Sequence, residues 1–178
     1  MDTIETLIKA RELEACKAAI QWLESLPPDA DPWAECERGD WMLWFAAMLE
    51  YDRKLIVTAA CCCARLASPF VPDGDARPRI ALETAEAWTR GEATIWEVGR
   101  AYPAADGAYP TAANAAYAAP ANAASAAPAN AAAKAASAAP ANAAYANAAN
   151  AADYASSRRK ILTQCANIVR EIIPKIDR

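Results

Sequence analysis

An all-α fold is what this sequence predicts, and three observations predict it. Apolar residues recur at three- and four-residue steps in successive segments, each bounded by proline, glycine or aspartate. No segment alternates at period two over enough residues to make a strand. The large apolar side chains, including all six tryptophans (22, 33, 41, 44, 88 and 96), come before residue 100, and an alanine tract follows them. The architecture expected is a helical bundle body over 1–100, an Ala/Asn/Pro-rich repeat tract over 101–156, and a C-terminal amphipathic helix over 157–178 that packs back on the body. The tract is expected to be a proline-interrupted helical appendage folded into antiparallel arms.

Each element has its own signals. Ile4, Leu7 and Ile8, then Cys16, Ile20 and Leu23, make helical stripes between Thr3 and Ser25, with a break plausible across the polar stretch Arg11 to Glu14. Pro27 and Pro28 stop this segment. Asp31 followed by Pro32 reads as an N-cap and first helical residue, with Gly39 as the stop signal and Asp40 as the cap of the next helix. That next segment, "WMLWFAAMLE", is apolar nearly all round and therefore central. Asp52 caps "RKLIVTAACCCARLAS", which ends before Pro69. "PRIALETAEAWTR" runs from Pro78 to a stop at Gly91, with Ile80, Leu82, Ala85 and Trp88 inward, and Thr94 to Glu97 is a capping box. All six tryptophans are expected in or around the core. Near the C-terminus, Ile161, Leu162, Cys165, Ile168, Val169, Ile172 and Ile173 form one stripe.

The tract from Thr111 to Ala152 holds 27 Ala among 42 residues, and Lys134 is its only charge. Tyr or Ser recurs at 109, 117, 125, 137 and 145, and Asn at 114, 122, 130, 142 and 150. Between Ala112 and Ala152 there is no Val, Ile or Thr to favour a sheet and no Gly for a polyproline bundle, which leaves alanine helix restarted at Pro120, Pro128 and Pro140. An eight-residue step turns a helix by about 80°, so the asparagines scatter around the axis and do not line up as a recognition face. The tract is therefore expected to be a packing element.

Charge narrows the function. The chain carries 22 acidic and 18 basic residues, net −4, but residues 1–100 carry 18 acids against 11 bases and are net −7. An acidic body is unsuited to nucleic acid and suits a basic protein partner. Outside the alanine tract no run of 18 apolar residues lacks charge, and the tract's Ala, Asn, Ser and Pro are too small and too polar for a span, so no membrane is expected. The opening residues lack the basic and apolar regions of a signal peptide. Six cysteines, three of them consecutive at 61–63, make a poor disulfide framework, and a cytoplasmic location is expected. The absence of histidine removes the commonest general base and metal ligand. Consecutive cysteines on a helix diverge by about 100° and cannot chelate one ion together. No catalytic residue, no cofactor-binding residue and no metal ligand is expected; an enzyme is the last of the readings.

The body also resembles a known family. "ACKAAIQWL" and the run from "CERGDWMLW" through "DRKLIVTAACCCARL" to "TAEAWTRGEATIWEV" are similar to the bacterial immunity protein family of polymorphic toxin and polyimmunity loci. The resemblance is close over about residues 15–100, with GDWMLW, the Asp-Arg-Lys-Leu step and TAEAWTRGEAT as its most specific parts. It implies a mainly helical, non-enzymatic protein that neutralises a cognate toxin by binding and occlusion. Within the matched block Asp40, Arg53, Arg77 and Arg79 are the candidates for partner binding or for structural pairing. Family tracts tend to be Ala/Tyr runs, whereas here Pro and Asn are inserted regularly. The alternatives are a structural or assembly protein whose alanine-rich arms pack into a homo-oligomer or filament, and, less favoured, an ice- or surface-binding alanine helix.

Overall fold

The computed structural model describes residues 1–66, 76–106 and 151–173. Every regular element among them is a helix: α1 Thr3–Glu12, α2 Lys17–Ser25, α3 Pro32–Glu35, α4 Gly39–Met48, α5 Arg53–Arg65, α6 Arg77–Arg90, α7 Ile95–Asp106 and α8 Ala151–Ile172. The all-α expectation holds. The bulk of the alanine tract, with its expected antiparallel arms, lies outside the described residues.

The predicted break between Arg11 and Glu14 is real, and its cause is a specific backbone turn. Glu14 sits in the left-handed region at φ 57, its N–H bonds the carbonyl of Arg11, and the N–H of Ala15 bonds that of Ala10. This pair of bonds is the Schellman ending of a helix. α4 ends the same way around Glu50 at φ 54, with bonds from Glu50 to Ala47 and from Tyr51 to Ala46. α6 ends so at Gly91, φ 80. Only the third carries the glycine that relieves the Cβ clash of this conformation. Replacing Glu14 or Glu50 by glycine is therefore expected to leave stability unchanged or raise it by up to about 1 kcal/mol, read as a shift in the urea midpoint. A loss of 1 kcal/mol in either variant would show that the side chain itself holds the turn.

Helix starts follow the sequence more closely. Asp31 accepts from the N–H groups of Trp33 and Ala34, and Asp52 from those of Lys54 and Leu55. Thr94 and Glu97 make the expected reciprocal box. The α3–α4 junction differs from expectation. α3 ends at Glu35, Gly39 is the first residue of α4 instead of a stop, and Asp40 lies within the first turn instead of capping it.

The core forms where α8 lies against both α4 and α5 while α6 packs on α5 and α7. Met42, Leu43, Ala46 and Ala47 of α4 meet Ile161, Cys165, Ala166, Val169 and Ile173 of the C-terminal segment. Val57, Ala60, Cys61 and Ala64 face them from α5. Each fully buried Leu, Ile or Val here contributes about 1.5–3 kcal/mol. The predicted C-terminal stripe and the central place of α4 are thus both found. α7 runs through residue 100 to Asp106, and α8 begins at Ala151, so helices cross both expected segment boundaries.

Three inward assignments need correction. On α1, Ile4 and Ile8 are each 54% exposed, and Thr3, Thr6 and Ala10 are buried instead. The two sets share the same three- to four-residue spacing, so periodicity alone does not choose between them. The threonines are buried without loss because Thr3 donates to the carbonyl of Ala30 and Thr6 to that of Asp2. On α6, Ile80 is exposed, because it lies about 200° around the helix from buried Leu82. On α7, Trp96 is 80% exposed for the same reason, two residues before buried Val98. The other five tryptophans pack on the core from its margins.

Candidate functional site

Four of those five tryptophans line one cleft. Helices α1 to α4 enclose a cavity of about 350 Å³, walled by Trp22 of α2, Trp33 of α3, and Trp41, Trp44 and Phe45 of α4. Ala10, Ala15 and Ala19 add small side chains to the lining, and Met42 and Cys36 border it as well. Such a volume, mostly apolar with a few polar groups, is the usual form of a binding cleft. The spacing of Trp41 and Trp44 puts both on one face of α4, turned away from Leu43, which is fully buried.

The polar group of the cleft is an ion pair. Arg38 Nε donates to Asp40 Oδ1 at 2.8 Å and Nη2 to Oδ2 at 2.6 Å, a two-pronged contact. The hydrogen bond to Asp40 raises the Arg38 guanidinium further above its ordinary range. The same guanidinium lies 4.2 Å from the centre of the Trp41 ring, and Trp22 meets Trp41 at 5.9 Å with a tilt of 51°. Cation, ring and a second, tilted ring thus follow one another along the wall.

The wall is anchored from behind. Arg170 of α8 donates through Nη1 to the carbonyls of Trp33 at 3.1 Å and Cys36 at 2.8 Å, and through Nη2 to Asn167 Oδ1 at 2.8 Å. Trp33 itself has one defect. Its indole Nε1 is buried and has no hydrogen-bond partner among the described residues. An orphaned buried donor costs about 1–3 kcal/mol, which offsets the smaller ring of phenylalanine. Trp33→Phe is therefore expected to change stability by less than about 1 kcal/mol, unlike an ordinary large-to-small change. A loss above 2 kcal/mol in chemical unfolding would mean that the indole N–H is satisfied.

Cys36, in the same wall, is pushed up to about 11 by burial. Cys61 and Cys63 on α5 are also raised, Cys61 by burial and Cys63 first by its hydrogen bond with Cys165 and then by burial. A thiol whose folded value lies above its unfolded one contributes stability fully present below about pH 9. That contribution is lost as pH rises towards the folded value. Urea midpoints are expected to fall progressively between pH 9 and 11, less steeply in Cys36→Ala than in the wild type. Equal slopes would show that Cys36 ionises freely in the folded protein.

Of the residues singled out in the sequence, Asp40 lines the cleft, and Arg53 and Arg79 do not. Arg53, at the start of α5, lies 5.8 Å from the Trp88 ring, and burial lowers its guanidinium. Arg79 pairs with Glu83 one turn on, both largely exposed, a contact of a few tenths of a kcal/mol. Arg77 opens α6, and its side chain lies outside the described residues. Sequence reasoning missed Arg38 and Arg170 and took the tryptophans for core. The i, i+3 pair Trp41 and Trp44 beside Arg38 was the available signal.

Among the described residues no group of three His, Cys, Asp or Glu side chains could hold a metal ion. No helix among them is long and apolar enough to cross a membrane. The chain stands beside three bodies of known proteins: family models, curated proteins and solved structures. None of the three gave a match.

Proposed function

We propose that this chain is a protein-binding, immunity-type protein that neutralises a cognate toxin by covering it. The observation that carries the reading is the open, tryptophan-walled cleft in the acidic part of the chain. Surfaces that bind proteins tightly concentrate their energy in Trp, Tyr and Arg side chains set in partly desolvated pockets. The cleft offers four tryptophans and a fixed arginine in that setting. The resemblance of residues 15–100 to immunity proteins supports the same role, and the net charge of −7 over residues 1–100 favours a basic toxin domain.

The test is genetic and biophysical together. Each gene flanking this one is induced with and without this chain, and survival and complex mass are measured. Rescue of growth with a stoichiometric complex by light scattering is the expected result. Death at the same rate in both cultures overturns the reading.

A further inference from the structure

We propose that the aromatic cleft receives a basic side chain, arginine or lysine, projecting from a positively charged partner protein. The inference rests on the protein-binding reading above and names the chemistry of its contact. Three observations carry it. The first is the wall itself: indole faces carry negative potential and attract cations within about 6 Å of their centres, tryptophan most strongly. Four tryptophans line a single cavity of about 350 Å³.

The second is that this wall already holds a cation. The Arg38 guanidinium lies 4.2 Å from the Trp41 ring while Asp40 grips its other edge. The local chemistry of indole face plus carboxylate therefore accommodates a guanidinium in this structure. Arg38 and Asp40 cancel one another, and Trp22, Trp33 and Trp44 line the same cleft.

The third is charge. Every residue lining the cleft lies between Met1 and Phe45, and that segment carries ten acidic against four basic residues, net −6. The rest of the chain is net +2, so the chain's net negative charge, and the field it sets up, belongs to the segment that builds the cleft. A neutral apolar guest would gain nothing from that field. A lysine or arginine gains from it at the head and lays its apolar stem along the rings. Because the cleft is open, the charged head keeps part of its water and avoids the full cost of burial.

The experiment uses the full chain labelled with nitrogen-15 at its six indoles. It is titrated with a hexa-arginine amide and, separately, with a hexa-citrulline amide, which has the same shape without the charge. The signals of Trp22, Trp33, Trp41 and Trp44 are expected to shift with the arginine peptide, at least tenfold more tightly than with citrulline. Raising salt from 50 to 300 mM is expected to weaken the arginine peptide several-fold. Trp88, already flanked by Arg53 and Lys54, and exposed Trp96 serve as internal controls.

Citrulline binding within tenfold of arginine would make the cleft an ordinary apolar groove and overturn the proposal. Cleft signals that do not move overturn it too, as do signals that change with protein concentration alone, which would place a second copy there. A Trp22→Leu variant on the peripheral helix α2, checked by thermal melting, is expected to bind the arginine peptide about tenfold more weakly. If that variant fails to fold, the wild-type titration still decides. A folded Trp22→Leu protein that neutralises the toxin with unchanged affinity sinks the cleft assignment and leaves the protein-binding reading standing. Failure of the wild type to rescue growth sinks that reading and leaves peptide binding to be judged separately.

Discussion

Gly39→Ala is expected to destabilise the protein by about 3 kcal/mol or more, at the upper end of the cost of overfilling a packed site. A Cβ built on Gly39 would lie 2.6 Å from Cys165 Cβ, and 2.7 Å from both the backbone N of Ala166 and the backbone C of Cys165. Two of those three neighbours are main chain, so no rotamer change relieves the clash. α4 and α8 would have to separate, and their contact is the spine of the core. Intrinsic helix preference points the other way, since alanine is favoured over glycine in a helix by about 1 kcal/mol. The steric term wins because backbone atoms at 2.7 Å cannot yield without moving a whole helix.

Gly99 and Gly91 supply the controls. Gly99 is also helical, in α7, and a Cβ there meets nothing within 4 Å among the described residues, so Gly99→Ala is expected to stabilise by about 0.5–1 kcal/mol. Gly91 has equal space around it but φ of 80, and Gly91→Ala is expected to cost about 1 kcal/mol through the backbone alone. Urea unfolding of the three variants then separates crowding, propensity and dihedral strain. Cys165→Ala should not rescue Gly39→Ala, because the Cβ and main chain of residue 165 remain. A Gly39→Ala loss below 1 kcal/mol would mean that α4 and α8 stand further apart.

Gly39 marks the line between geometry that a residue type announces locally and geometry that only a distant contact creates. Helix signals were legible where a single residue type announces a local geometry: Asp31 and Asp52 as caps, Gly91 as a left-handed stop, Thr94 with Glu97 as a box. They failed where the same geometry is adopted by an unannounced residue, as at Glu14 and Glu50, or where a glycine serves close approach between elements distant in sequence. Gly39 touches α8 across more than a hundred residues, and nothing local marks that contact. The aromatic cleft was hidden for a related reason. A tryptophan beside the core and a tryptophan walling a cavity have the same periodicity, and only the positions of α1 to α3 distinguish them. The wrong face of α1 follows from two stripes with equal spacing, of which the structure buries the smaller and more polar.

Arg170 is the second position where a long-range contact dominates, and Arg170→Met is expected to cost about 2–3 kcal/mol. Its Nη1 donates to two main-chain carbonyls, those of Trp33 and Cys36, and hydrogen bonds from a charged donor are worth about 1.5–3 kcal/mol each. The site is only part-buried, and water recovers some of that energy, which keeps the sum below the simple total. Methionine replaces the stem and leaves both carbonyls without a donor from α8. Arg170→Lys should recover less than half of the loss, since an ammonium is a point donor and cannot also hold Asn167 Oδ1 at 2.8 Å as the planar fork does. Asn167→Ala, which removes only that lateral support, is expected to cost under about 1 kcal/mol. The stability ranking is wild type, then Asn167→Ala, Arg170→Lys and Arg170→Met. The consequence reaches function because Trp33 and Cys36 line the cleft. In Arg170→Met the Trp33 indole signal is expected to broaden or shift while that of Trp96 stays fixed. A lysine variant as stable as the wild type, with an unperturbed Trp33 signal, would show that α3 is held by its Asp31 cap alone and that Arg170 is an ordinary surface charge.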